Sequence, residues 1–131
     1  MTSQIGSLIG ISLLIACAGC AGIGSTDPVT DEEARERALS AEKARVTQTL
    51  ENASYITSSS VSTYGEPDAV VVNDNNSGVN VRVNMPYSYE YSCDGGSSGA
   101  VDGLETTVVY QVTNSNVTTM IIKGDIRNAC A

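Results

Sequence analysis

Histidine, tryptophan and phenylalanine are absent from this chain of 131 residues, and six tyrosines are its only aromatic side chains. Without histidine there is no imidazole base, no serine–histidine or cysteine–histidine pair, and no histidine-bearing zinc site. Positive charge is scarce: 7 Lys and Arg stand against 15 Asp and Glu, a net charge of −8. Such a chain repels phosphate backbones, which excludes nucleic acid as a natural partner. Charge of either sign is missing from residues 1–26. The length allows one small domain, and a hydrophobic content of 41% is compatible with a packed core.

The uncharged start is informative. Its apolar run Ile5 to Ile15 (IGSLIGISLLI) has the length of a signal-peptide hydrophobic region and is short for a membrane span. Ala16-Cys17-Ala18-Gly19-Cys20 follows directly, and small residues here suit the extended strand that a signal peptidase accepts. Ala18-Gly19-Cys20, after Leu13-Leu14-Ile15, resembles the lipobox of lipoproteins, in which the cysteine becomes the lipidated first residue. The resemblance implies a signal peptide over 1–19, a lipidated Cys20 with a flexible tether over 20–29, and an exported domain over 30–131. Membrane lipid is then a partner, and the place is the outer face of the cytoplasmic membrane. Cys17, after Leu14-Ile15-Ala16, is a second acceptor. A third reading is an uncleaved anchor from Thr2 to Ile23, disfavoured by Gly6, Gly10, Gly19 and Gly22 at ~1 kcal/mol each in an ordinary helix.

The four cysteines divide into Cys17 and Cys20 in the export segment and Cys93 and Cys130 in the domain. If Cys20 is the lipidated residue, Cys17 is removed and the last two pair, so parity favours Cys20. Outside the cytoplasm a Cys93–Cys130 disulfide is the expected state.

A helix is expected from Thr30 to about Ala53. Thr30 with Glu33 forms a capping box, and Asp31, Glu32 and Glu33 suit the positive helix end. Leu39, Val46, Leu50 and Ala53 make a narrow apolar stripe, while the first two turns read as polar and solvent-facing, and the charged face as solvated. Beyond Ser54 the period changes to two. Val79, Val81, Val83, Met85, Tyr87, Tyr89 and Tyr91 share one face, which predicts a long half-buried antiparallel strand. Pro86 must sit at an edge or a bulge. Val70 to Val72 and the turn Asn73 to Gly78 complete a hairpin. A second hairpin joins Leu104–Thr113 to Val117–Ile126, and the glycine-rich stretch Asp94 to Gly103 reads as a mobile connector. The expected class is α+β: one N-terminal helix on an antiparallel meander of about four strands. The two late cysteines then emerge at one end of the sheet.

Candidate chemistry is sparse. Asn73 to Gly78 has the flavour of a calcium loop but places Asn84 where a bidentate Glu is needed, so a turn is the better reading. No metal, cofactor or catalytic residue is assigned, since no carboxylate pair is placed for acid–base work, and an enzyme is not expected. Tyr87, Tyr89 and Tyr91 could stack on a sugar or peptide, although core packing is the ordinary role of such a stripe. Three sequons, at Asn52, Asn75 and Asn116, are candidate glycosylation sites, the last two in predicted turns.

Only two lysines, Lys43 and Lys123, accompany five arginines, while acids are spread along the exported part. This resembles proteins of salt-loving archaea, where concentrated salt screens the self-repulsion of acidic surfaces. Lipobox-like start, acidic helix and β-rich remainder together resemble small uncharacterised lipoproteins of those organisms. The expectation is a non-catalytic binding or envelope-structural module whose protein or glycan partner is open. The alternative is a filament subunit, since a hydrophobic start, helix, antiparallel sheet and late disulfide are similar to type IV pilins.

Overall fold

The computed structural model describes residues 28–75 and 78–131. Cys17, Cys20 and the apolar start lie outside the described residues. One helix, α1 (Asp31–Asn52), packs on a five-stranded sheet of β1 (Ile56–Val61), β2 (Asp68–Asn75), β3 (Gly78–Ser92), β4 (Ser98–Val112) and β5 (Val117–Gly124). Every strand pairing is antiparallel. The α+β class holds, with five strands where about four were expected. The added strand is β1, whose sequence ITSSSV is apolar only at its ends and so shows no alternation. The stretch Asp94 to Gly103 is also not wholly a connector, because β4 begins at Ser98. Gly99 lies opposite Tyr91, and a Cβ there would come within 3.0 Å of the phenol oxygen. Glycine lets this strand lie on the tyrosine.

Strand β3 is the spine. It pairs with β4 along nearly its whole length, while its other side is shared by β2 over the first half and β1 over the second. Pro86 marks the changeover. Pairing with β2 ends at Asn84 and pairing with β1 starts at Tyr87, so the missing N–H falls where no strand asks for a donor. The Pro86 carbonyl instead accepts from the Ser62 N–H at 2.8 Å. The expected edge or bulge is thus a gap between two neighbours, and the ladder with β4 shifts register just beyond it, between Tyr87 and Tyr89.

Alternation places Val79, Val81, Val83, Met85, Tyr87 and Tyr89 of β3 in the core, with Val108, Tyr110 and Val112 of β4. The helix meets them with Ala34, Ala38, Glu42, Val46 and Leu50, all buried. Spacing by four advances the stripe ~40° per step, so it winds around the helix as the sheet twists beneath it. The first two turns therefore do not project into solvent, because Ala34 and Ala38 are fully buried. Alanine removes little area from water but permits close backbone approach, which a search for large apolar residues overlooks. Leu39 and Ala53 are only half-buried. Thr30 caps the start, its hydroxyl accepting from the Glu33 N–H at 3.1 Å.

After β5 the chain turns back across the tyrosines. The Tyr87 hydroxyl accepts from the Arg127 N–H at 3.0 Å. The Tyr89 hydroxyl donates to the Arg127 carbonyl at 2.5 Å and accepts from the Ala129 N–H at 3.2 Å. Two phenols thus stand in for a missing strand as partners of the tail backbone. The path ends in the Cys93–Cys130 disulfide, with Cα atoms 5.6 Å apart. Closing a loop across a separation of 37 residues stabilises the fold by about 3–4 kcal/mol on the chain-entropy estimate. Urea unfolding of the oxidised chain against Cys130→Ser is expected to differ by that amount. Coincident curves would mean that the staple constrains nothing.

Candidate functional site

Two polar constellations stand out, one inside the fold and one on its open face. The inner one is built on Glu42, which the spacing of four carries into the centre of the helix–sheet contact, where its side chain is 0% exposed. The Arg45 guanidinium, three residues on, grips it through Nε at 2.8 Å and Nη2 at 2.9 Å. The Thr106 and Tyr110 hydroxyls of β4 donate to its two oxygens at 2.5 and 2.7 Å. Arg45 also reaches Asp125 at 3.1 Å, tying the start of the tail to the same group. The expectation of a solvated charged face is corrected at this position.

Electrostatics follow from the geometry. The bond to Glu42 holds the Arg45 guanidinium protonated more firmly than usual. Burial, and then the hydrogen bond to Glu42, push the Tyr110 phenol up to about 12. A carboxylate with four donors and no exposed surface has no room for a substrate, so this constellation is structural. Removing one partner of a buried ion pair costs about 3–5 kcal/mol, and Glu42→Ala is expected to lose stability on that scale in urea. Glu42→Gln keeps the shape and loses less. The raised Tyr110 phenol also fixes a pH window. Its stabilisation is complete below pH ~10 and is lost as pH rises toward ~12, since the unfolded chain releases that proton first. Melting temperature is expected to fall across this window, and Tyr110→Phe to flatten the fall.

The outer constellation occupies the sheet face opposite the helix, over the second half of β3. Ser58 and Ser60 of β1 stand across from Glu90 and Ser88 of β3, with the Ser60 and Ser88 hydroxyls 2.8 Å apart. Residues 62–67 arch over Pro86 and carry Tyr64, 78% exposed. This arch is held firmly. Ser62 adopts a left-handed φ of 58°, its N–H is bound to Pro86, and Gly65 rests on the proline ring, where a Cβ would lie 3.3 Å from Pro86 Cβ and Cγ. A non-glycine residue in that region is strained and persists only when its surroundings enforce it. On either side of Tyr64 are two hollows. One, of about 230 Å³, is lined by Glu66, Leu104 and Glu105 among others. The other, of about 400 Å³, is lined by Ser58, Glu90 and Asp102. Both share Ser60, Tyr64 and Ser88.

The expected site residues are distributed as follows. Cys93 and Cys130 meet. Asn52, at the helix end, and Asn116, before β5, are both exposed. For Asn75 the ladder runs further than the expected turn and pairs it with Gly78, while its side chain and the rest of its sequon lie outside the described residues. The tyrosine stripe is core: Tyr87 and Tyr89 are buried and nearly parallel, 6.3 Å apart, with Tyr55 and Tyr91 edge-on to Tyr89. The exposed ring is instead Tyr64, in a turn with no periodic pattern to announce it.

Among the described residues no cluster of three His, Cys, Asp or Glu could hold a metal ion, and no helix is long and apolar enough to cross a membrane. Comparison of the chain with protein-family models, curated proteins and solved structures finds no match.

Proposed function

We propose that this chain is an exported, lipid-anchored cell-surface module, tethered through Cys20 and acting by binding rather than catalysis. The observation that carries this reading is the polarity of the domain. The helix begins, and the tether of residues 20–29 therefore joins, at the end where β2 meets β3 and β4 meets β5. Arg37, near the helix start, donates to the Thr113 carbonyl of the β4–β5 turn at 2.7 Å. Asp74, at the close of β2, is shifted upward from its ordinary value by hydrogen bonding to Asp31 in the first helical turn and by the charge of Asp31. The open-face hollows lie over the other half of β3, a strand of 15 residues spanning ~50 Å. A membrane mooring at the first end leaves the hollows facing outward.

The disulfide supports export, because such bonds persist outside the reducing cytosol. The acidic, lysine-poor composition supports a salt-rich setting of the archaeal type, where screening offsets the net charge. Exposed Asn52 and Asn116 are accessible to glycosylation. Intact-mass analysis of the membrane-extracted chain is expected to show a first residue at Cys20 carrying a diacylglyceryl-type group, with Cys93 and Cys130 oxidised. A chain that retains Met1, bears no lipid and has free late thiols would overturn the reading.

A second reading, the pilin-like filament subunit, is favoured by one observation. Apolar side chains are exposed on an outer strand at either side of the sheet, Val70 and Val72 on β2 and Met120, Ile121 and Ile122 on β5, as lateral assembly would require. Against it, Thr30 caps α1 in an extended conformation (φ −80°, ψ 161°), so the helix does not continue into the preceding segment. Shearing of cells separates the two: filaments containing this chain favour the pilin, and retention with the membrane favours the anchored module.

A further inference from the structure

We infer that the open-face groove around Tyr64 is a binding site for neutral glycan, with the Tyr64 ring as a stacking platform for one hexose. The inference rests on the anchored binding-module reading and names the ligand class of that same surface. Three features converge. First, Tyr64 as a residue is 78% exposed, so its side chain is not committed to the core. Its arch is nonetheless fixed by the strained Ser62 and by packing on Pro86. A fixed backbone beneath a solvent-facing tyrosine suits stacking on the apolar C–H face of a sugar, because no loop has to be ordered on binding.

Second, the hollows on either side offer hydroxyls that both donate and accept. Ser60 and Ser88 already bond each other, and either can be the donor. A sugar hydroxyl can therefore join this pair without leaving a buried oxygen unpaired. Third, Glu66 and Glu105 on one side and Glu90 and Asp102 on the other are acceptors only, matched to sugar O–H donors through charge-assisted bonds. No Lys or Arg lines either hollow. Like-charge repulsion then rejects uronic, sialic or phosphorylated sugars. The larger hollow, of about 400 Å³, is of the size that holds small ligands.

The test uses the full chain in a zwitterionic, non-glycosidic detergent, so that no sugar headgroup competes. Maltotriose, mannotriose and chitotriose are titrated, with tyrosine emission and saturation-transfer NMR as readouts. At least one trisaccharide is expected to bind saturably with a Kd of ~1 mM or tighter. Tyr64→Ala is expected to weaken it at least ~10-fold, while Tyr64→Phe stays within ~3-fold. An unchanged melting temperature in both variants shows that the fold is intact. Glu105→Gln serves as a second probe of the lining, with weaker binding expected and no loss of fold. The inference is overturned if none of the three sugars binds, or if binding survives Tyr64→Ala. It is equally overturned if trigalacturonate or trilysine binds as well as the neutral sugars. The mass of the N-terminus is indifferent to these outcomes: an anchored chain that ignores sugars defeats only the ligand, and a sugar-binding chain without lipid defeats only the anchor.

Discussion

A carboxylate sealed between helix and sheet is the constraint on which the rest of this domain depends. Taking an ion out of water costs several kcal/mol, and Glu42 recovers that only where four donors converge on it. Hydrophobic contact cannot impose such a condition. Ala34 and Ala38 would tolerate sliding or rotation on a surface of valines, and Val46 and Leu50 alone anchor one end. Thr106 and Tyr110 lie on β4, and Arg45 links Glu42 to Asp125 after β5. One position of α1 satisfies helix, central strands and tail together. That position sets at which end of the sheet the helix begins and where the tail crosses the tyrosines.

The tail is the second consequence. A strand at that place would have supplied a ladder of amides. Two phenols of β3 supply three hydrogen bonds instead, and the disulfide closes the path. The tyrosines are thereby committed to the interior, which removes them as a recognition stripe. The other side of the same strand, where Ser88, Glu90 and the arch over Pro86 share an open surface, is where the proposed recognition is placed.

Much of this was legible in the residues themselves. Strict alternation from Val79 to Tyr91 marked β3 and its buried face, Thr30 and Glu33 marked the helix start, and cysteine parity with a shared end of the sheet marked the disulfide. The parts that were not legible are non-local. Glu42 reads as one more acid on an acidic helix, and only the register of β4 makes it a core residue. Its nearest sequence cue is its place midway in the series Ala34, Ala38, Val46, Leu50, which becomes visible once alanine counts as apolar. Strand β1 is serine-rich and owes its form to the free edge that β2 leaves on β3 beyond Pro86. The groove inherits that dependence, since Tyr64 is carried to it by a loop that exists only because two strands share one neighbour.

Native-state hydrogen exchange reports most directly on whether the Glu42 carboxylate unites helix and sheet. The amides of α1 from Ala38 to Leu50 and those of β4 from Thr106 to Val112 are expected to open together, with one free energy equal to that of global unfolding. Glu42→Gln should lower both by the same amount. A helix that exchanges far faster than β4, and at a rate indifferent to that substitution, would contradict it.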